Sequence, residues 1–169
     1  LVVNPSFIVA DEPTSMLDVS VRAGILRLIT KLVEEQNLTV LYISHDLSLL
    51  RYICDRIGIM YHGALAEVGD ANAVLQNPKH PYTQALVSAV PRADPRTGRE
   101  RVQIEGEVEE RIGGIQGCPF KFRCPHRFEK CDEKPSLHES KDGQQHTACH
   151  LYDEDIEEPI PKMHLGETN

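Results

Sequence analysis

Residues 7–20 read FIVADEPTSMLDVS, and residues 41–47 read LYISHDL. Each stretch begins as an apolar run of strand length and ends in charged or polar side chains. Between them, apolar residues recur at helical spacing over 21–32, with Asp18 as the predicted side-chain N-cap and Asn37 as the predicted stop. The pattern predicts a strand, a helix and a second strand, with both strands parallel in one sheet.

Further elements are predicted downstream of this unit. They are a helix over 47–53, a hairpin formed by 56–61 and 64–68 with His62 and Gly63 in its turn, and short helices near 71–75 and 82–89. Beyond Pro91, prolines, glycines and charged residues replace the periodicity, so a domain boundary is expected within 91–99.

Composition and charge limit the classes of function. The chain has 169 residues and a formal net charge of −8, and its Lys and Arg residues are scattered. Scattered basic residues disfavour a nucleic-acid partner, since no cationic surface is available to displace counterions from phosphates. No apolar run reaches the roughly 18 residues that cross a bilayer, and no basic segment precedes an apolar one at the N-terminus. A cytoplasmic protein is therefore expected.

Ionisable groups cluster just past each of the first two predicted strands. Asp11 and Glu12 end the first, and residues 44–46, with His45 in the middle, follow the second. Ligands in open parallel sheets bind at the carboxyl ends of strands, so these groups are expected to share one site. One carboxylate can hold magnesium, another can orient or deprotonate water, and a histidine can contact a terminal phosphate. Alternatively, the acidic pair only ends a strand before a turn at Pro13.

The two stretches together resemble the Walker B strand with its D-loop, and the switch-histidine segment, of ABC ATPases, in the family's order and spacing. The resemblance implies the C-terminal part of a P-loop-type α/β domain that uses ATP and Mg²⁺. It assigns magnesium binding to Asp11, the catalytic carboxylate to Glu12 and the switch role to His45. Ser15 to Asp18 would form the D-loop, which in this family crosses the interface between two ATPase subunits.

The sequence also departs from that family. It contains no GxxxxGK[ST] phosphate loop, no glutamine loop and no LSGGQ-type signature, all of which precede Walker B in the family. Its opening, LVVNPSFIVADEPT, looks like the segment that follows the signature helix in that family. The resemblance therefore implies that roughly the N-terminal half of the usual protein is absent. Without that loop's amides and lysine, the chain alone is expected neither to bind ATP tightly nor to hydrolyse it.

A later stretch resembles one branch of the family. HPYTQAL at 80–86, followed by SAVP at 88–91, is similar to oligopeptide and dipeptide importers, although it also fits an ordinary amphipathic helix. The resemblance implies transmembrane permease partners, a second ATPase subunit in a homo- or heterodimer, and an indirect link to an extracytoplasmic substrate-binding protein. It places the protein at the cytoplasmic face of the membrane, attached through the permease. Di- or oligopeptides lead as substrates, with nickel and oligosaccharides as alternatives.

Four of the five cysteines lie in the last third of the chain: Cys118, Cys124, Cys131 and Cys149. Because no secretory signal accompanies them, a metal site is favoured over disulfides. Structural zinc sites use closer cysteine pairs than these, whereas iron–sulfur clusters accept more varied spacing. Zinc stays open, since His126, His146 or His150 could replace a thiolate in a mixed site.

The surrounding text, GCPFKFRCPHRFEKC at 117–131 and HTACHLY at 146–152, resembles the C-terminal extension of peptide-importer ATPases. In that family the cysteines bind a four-iron, four-sulfur (4Fe-4S) cluster, and zinc or unligated thiols are the alternatives here. The approach to the first cysteine, VEERIGGIQG at 108–117, departs from the proline-rich approach of the family.

These observations predict three regions: the C-terminal part of an ABC ATPase domain at 1–91, a small irregular cysteine-rich extension at 92–152, and an acidic tail at 153–169. The predicted function is the ATP-hydrolysing subunit of a peptide importer. The rivals are a stand-alone iron–sulfur or zinc module without ATPase activity, and a soluble ABC ATPase acting on nucleic acid. The remaining histidines, including His80, are expected to be solvated.

Overall fold

A computed structural model describes residues 5–90, 104 and 116–154. The chain forms two compact units, Leu1–Cys54 and Asp55–Asn169. The boundary predicted within 91–99 lies outside the described residues, as do most of the approach at 108–117 and the acidic tail from residue 155.

The first unit contains two strands and two helices: β1 (Phe7–Asp11), α1 (Val19–Gln36), β2 (Thr39–Ile43) and α2 (Leu47–Ile53). The strands pair in parallel, with Phe7 opposite Thr39 and Asp11 opposite Ile43. The predicted strand, helix and parallel strand are thus confirmed, and α2 has the bounds that the sequence predicts.

The two ends of α1 are capped differently. Asn37 adopts a left-handed conformation (φ 51°, ψ 49°), and its N–H donates to the carbonyls of the preceding turn, as a helix C-cap does. The predicted side-chain cap at Asp18 is wrong: its carboxylate makes no capping hydrogen bond. Only its backbone carbonyl takes part, accepting the N–H of Arg22 at 2.9 Å.

The second unit is built on an antiparallel sheet. Its elements are β3 (Arg56–Tyr61), β4 (Ala64–Asp70), α3 (Ala71–Gln76), α4 (Pro81–Ala89), β5 (Leu137–Glu139) and β6 (Gln145–Ala148), with 3₁₀ turns at Glu129–Asp132 and His150–Tyr152. The strand order is β3-β4-β6-β5. The predicted hairpin is confirmed, since β3 pairs with β4 and Tyr61 faces Ala64 across the turn.

Part of the predicted irregular extension is regular. β6 pairs with β4, with Glu67 opposite Thr147 and Gly69 opposite Gln145. The strands come so close that a Cβ on Gly69 would lie 2.4 Å from the carbonyl oxygen of Gln144. Only glycine allows this approach. Through it, a strand from the cysteine-rich region pairs with β4 and extends the sheet that the hairpin begins.

A buried carboxylate fixes the start of α4. Glu67 is fully buried, and its two oxygens accept the backbone N–H groups of Lys79 and His80 at 2.8 and 2.9 Å. Burial raises the pKa of Glu67, and these two hydrogen bonds act in the opposite direction. The Tyr152 hydroxyl donates to the Lys79 carbonyl at 2.9 Å, so the turn before α4 is held from two sides.

His80 is not solvated, contrary to the prediction. Its ring is only 3% exposed, its Nδ1 accepts the N–H of Tyr82 at 3.0 Å, and its centroid lies 5.8 Å from that of Phe120. Burial lowers the pKa of His80 to about 4, which keeps the ring neutral at physiological pH. Burial follows from packing with residues distant in sequence, which the local pattern does not reveal.

The buried His80 predicts acid sensitivity of the second unit. Between the unfolded pKa of 6.5 and the folded value of about 4, the unfolded chain binds a proton that the folded chain excludes. The contribution of His80 to the free energy of unfolding is therefore fully present above pH 6.5. As the pH decreases to 4, the free energy of unfolding falls by up to about 3 kcal/mol. Urea unfolding of the reduced, metal-free chain at pH 7 and 4.5, followed by circular dichroism, measures the loss.

Matched variants isolate this contribution. In His80→Asn the amide oxygen can still cap α4 but does not titrate, so the loss between the two pH values should shrink by most of that amount. His62→Asn changes an exposed histidine that already has a positive φ of 46°, which asparagine tolerates, and should keep the wild-type loss. Equal pH dependence in both variants would contradict the assignment to His80.

Candidate functional site

The carboxyl ends of β1 and β2 lie side by side. Asp11, the last residue of β1, pairs with Ile43, the last residue of β2. The Glu12 N–H continues the pairing by donating to the Ile43 carbonyl at 2.9 Å. Glu12 itself has a positive φ of 44°, uncommon for a residue with a side chain, which turns the chain sharply after the strand.

Glu12 and His45 make direct contact at this edge. The Glu12 Oε1 atom lies 2.7 Å from Nδ1 of His45 and accepts the His45 backbone N–H at 3.1 Å. An ionised carboxylate only accepts hydrogen bonds, so Nδ1 of His45 carries a hydrogen. Nε2 lies on the opposite side of the ring and does not contact Glu12. The His45 side chain is 81% exposed and that of Glu12 35%, so both are accessible to a ligand.

The segment after Glu12 is a compact turn. The backbone N–H and the hydroxyl of Ser15 both donate to the Glu12 carbonyl, at 3.2 and 3.0 Å. The Leu17 N–H donates to the carbonyl of Thr14, which is buried. Of the predicted D-loop residues, Ser15 therefore contacts Glu12 directly, whereas Asp18 lies at the start of α1.

This arrangement is suited to activating water near a phosphate. A carboxylate held at a fixed place can accept a proton from water, and an imidazole beside it can hydrogen-bond to a phosphate oxygen. Asp11 adds a second carboxylate at the adjacent strand end, of the kind that binds magnesium. The sequence predicts that these three residues lie at one edge of a sheet, and the strand pairing places them there; their roles stay a prediction.

In the second unit, the four clustered cysteines line one cavity. Cys118, Cys124, Cys131 and Cys149 all face it, together with His126, His150, His80 and Lys121. The cavity has a volume of about 10 Å³, close to the space needed by one water molecule. None of the four forms a disulfide, and three of them are buried. His146 is not among the lining residues.

Backbone amides point at three of the four sulfurs. Burial raises the pKa of Cys149 to about 12 and of Cys124 to about 11, and the N–H groups of Leu151 and His126 bond to these sulfurs and act in the opposite direction. Burial also raises the pKa of Cys118, whose sulfur accepts the N–H of Phe120. Each of these donors lies two residues after its cysteine, and the N–H of Lys121, three residues after Cys118, is a second donor to that sulfur.

Donor type and number fit a thiolate-bound metal centre, because four thiols share a cavity and amide N–H groups can stabilise their anions. Because burial raises the pKa of Cys118, Cys124 and Cys149, these three thiols need a bound cation to ionise at neutral pH. However, no group of three or more His, Cys, Asp or Glu side chains within 5–90, 104 and 116–154 is placed to hold a single metal ion. A single zinc ion with four Zn–S bonds of about 2.3 Å would bring all four sulfurs to about 3.8 Å from one another, and the described residues contain no group placed to hold one ion in this way.

Two cationic residues near these sites were not identified from the sequence. Lys121 is buried, lines the cysteine cavity and forms an ion pair with Asp132 at 2.6 Å. Arg22, on α1, donates to the Leu17 carbonyl and to Asp46. Both sit in sequences of ordinary charged character, so only the three-dimensional contacts distinguish them.

No helix in the described part of the chain is both long and apolar enough to cross a membrane.

Comparison with known proteins agrees with the resemblance. Residues 66–131 match the family described as "Oligopeptide/dipeptide transporter, C-terminal region". The chain is 43% identical over 156 residues to the dipeptide transport ATP-binding protein DppF of Escherichia coli, covering 92% of this chain and 46% of that protein. It is 44% identical over 154 residues to the oligopeptide transport ATP-binding protein AppF of Bacillus subtilis, covering 90% and 47%.

The chain spans about half the length of the curated relatives that it matches. These relatives are named as transport ATP-binding proteins, which matches the predicted function rather than the alternative of a stand-alone metal-binding module. Over about nine tenths of its length the chain is therefore similar to oligopeptide and dipeptide transport ATP-binding proteins, and its residues 66–131 match the C-terminal region of oligopeptide/dipeptide transporters.

Proposed function

We propose that this chain supplies the water-activating edge of an ATPase that powers an ABC importer of peptides. The observation that carries the proposal is the 2.7 Å contact between Glu12 Oε1 and His45 Nδ1, at the adjoining ends of two parallel strands. The names of its relatives, as oligopeptide and dipeptide transport ATP-binding proteins, support peptides as the class of cargo.

Each side chain has a distinct role in the proposed reaction. Glu12 orients the attacking water and accepts its proton as the bond to the terminal phosphorus forms and the bond to the leaving ADP oxygen breaks. His45, with both ring nitrogens protonated, would donate from Nδ1 to Glu12 and from Nε2 to an oxygen of the terminal phosphate. Asp11 would hold the magnesium ion that ATP requires. Ser15 to Asp18 would contact a second ATPase subunit.

The partners follow from the same proposal. The ATPase acts on transmembrane permease subunits, pairs with a second ATPase subunit that is identical or related, and responds indirectly to an extracytoplasmic substrate-binding protein. It works at the cytoplasmic face of the membrane, attached through the permease. Nucleic acid is not a proposed partner, given the net charge of −8.

We also propose that the four cysteines hold a metal centre, with a 4Fe-4S cluster ahead of zinc. The shared cavity and the backbone N–H donors to three of the sulfurs support thiolate binding, and a cluster accepts thiolates that are further apart than a single ion does. A four-iron core is larger than the cavity, so its binding would move the four thiol groups apart.

A chimera tests the ATPase proposal. The chain replaces the matching 46% of the Escherichia coli dipeptide transport ATP-binding protein, which supplies the remaining sequence. When the chimera is assembled with that protein's own transporter, we expect ATP hydrolysis within about tenfold of the parent. The control is the 169-residue chain alone, which has no phosphate loop and should release no phosphate above background. A folded, assembled chimera without ATP hydrolysis would contradict the proposal.

A further inference from the structure

Arg22 connects the two loops that follow β1 and β2. Its Nη2 donates to the carbonyl of Leu17 at 3.3 Å, and its Nη1 lies 3.4 Å from Oδ2 of Asp46. Leu17 belongs to the turn that begins at Glu12, and Asp46 directly follows His45. One planar guanidinium group thus contacts both sides of the candidate site.

The surroundings of Arg22 indicate a fixed position. Its side chain is 24% exposed and that of Asp46 is 27% exposed, so solvent screens the ion pair only in part. Within the described residues, the Arg22 Nε is buried without a hydrogen-bond partner, which leaves the two Nη contacts to set the orientation of the group.

Asp46 uses both carboxylate oxygens. Its Oδ1 accepts the N–H groups of Ser48 and Leu49 at 3.1 and 3.4 Å and caps α2, while Oδ2 faces Arg22. The residue next to His45 is therefore held by a helix start on one side and by a cation on the other.

We infer that Arg22 is a positioning residue for His45 in ATP hydrolysis. By joining Asp46 to the turn after β1, it keeps the His45 imidazole beside the Glu12 carboxylate, whose Oε1 also accepts the His45 backbone N–H at 3.1 Å. The inference rests on the proposed function of this edge. Loss of the guanidinium removes one link between the two loops and leaves the Glu12–His45 contacts to hold them alone, without removing any group that acts on the phosphate.

Hydrogen exchange on the purified 169-residue chain tests the structural step. In Arg22→Gln, the amides of His45, Ser48 and Leu49 should exchange about fivefold faster than in the unsubstituted chain. Arg27→Gln removes the same charge from an exposed position on the same helix and should leave these rates unchanged. Amides in the β1–β2 pairing report whether the unit stays folded, and they should be unaffected in both variants.

Kinetics of the chimera test the functional step. Arg22→Gln should lower kcat about tenfold with KM for ATP within twofold, because binding groups stay in place while the water-activating pair loosens. Arg22→Lys keeps the charge without the fork and should recover part of kcat. Arg27→Gln should match the unsubstituted chimera.

The outcomes separate this inference from the proposed function. An unsubstituted chimera without ATP hydrolysis overturns the proposed function and this inference with it. An active chimera in which Arg22→Gln and Arg27→Gln behave alike overturns only the inference. If Arg22→Gln lowered kcat and also reduced the protection of the β1–β2 amides, the first unit would be generally destabilised. That result would also overturn the inference.

Discussion

The Glu12→Gln chimera is expected to hydrolyse ATP at least about 100 times more slowly than the unsubstituted chimera, with little change in ATP affinity. Glutamine has the shape of glutamate but cannot accept a proton from water, and general-base catalysis typically contributes 10²–10⁴-fold. Residue 12 also contacts Nδ1 of His45, so the substitution weakens the orientation of the imidazole as well. Phosphate release under saturating ATP measures kcat, and nucleotide titration measures affinity.

Glu34→Gln is the matched control for this loss. Glu34 is exposed near the end of α1, so the same chemical change is made in the same unit, away from the edge of the sheet. It should leave kcat within twofold. If the Glu12→Gln chimera retained more than a third of the unsubstituted rate, Glu12 would not be the catalytic carboxylate.

The second large effect concerns metal content. The chain purified without oxygen should be brown, with broad visible absorbance and about four iron atoms per chain. Serine at any one of Cys118, Cys124, Cys131 or Cys149 should reduce the iron to below about a tenth of that amount, because a neutral hydroxyl replaces a ligating thiolate. Iron and sulfide analysis, together with the absorbance spectrum, measures the loss.

Cys54→Ser is the control for this experiment, since Cys54 lies in the first unit and does not line the cavity. It should keep the colour and the full iron content. A colourless chain with about one zinc per chain would replace the cluster with the zinc alternative. A chain that contains neither iron nor zinc when purified, and whose five thiols all react after unfolding, would contradict the metal centre.

The elements predicted best from sequence are those with strong local signals. The 18 residues of α1 include apolar positions at helical spacing, and the helix is capped by Asn37, whose left-handed conformation suits asparagine. The hairpin turn at His62 and Gly63 was likewise recognisable, because a glycine lies between two apolar runs of strand length; both residues have the positive φ that a two-residue turn requires. The parallel pairing of β1 and β2 follows from the intervening helix, which leaves no other short connection.

The pairing of β6 with β4 could not be predicted in the same way. β6 has four residues and β5 has three, too few to show an alternating pattern. The close approach at Gly69 depends on residues some 75 positions later in the chain, which local reading does not connect. The burial of His80 was missed for the same reason, because Phe120 and Glu67 surround it from distant parts of the sequence.

The residues of the candidate nucleotide site could be predicted from the sequence, but the contacts that hold them in place could not. Asp11, Glu12 and His45 follow strand ends, and parallel strands bring such ends together. Glu12, which contacts His45 directly, has a positive φ that sequence alone does not specify. Arg22 was overlooked because a single arginine on an amphipathic helix usually faces solvent.

The most direct test of the account is a structure of the Glu12→Gln chimera with Mg²⁺ and ATP bound. The account predicts His45 Nε2 at hydrogen-bonding distance, about 2.7–3.2 Å, from an oxygen of the terminal phosphate, with Asp11 on the side of the magnesium ion. A terminal phosphate bound beyond the reach of both His45 and the side chain at position 12 would contradict it.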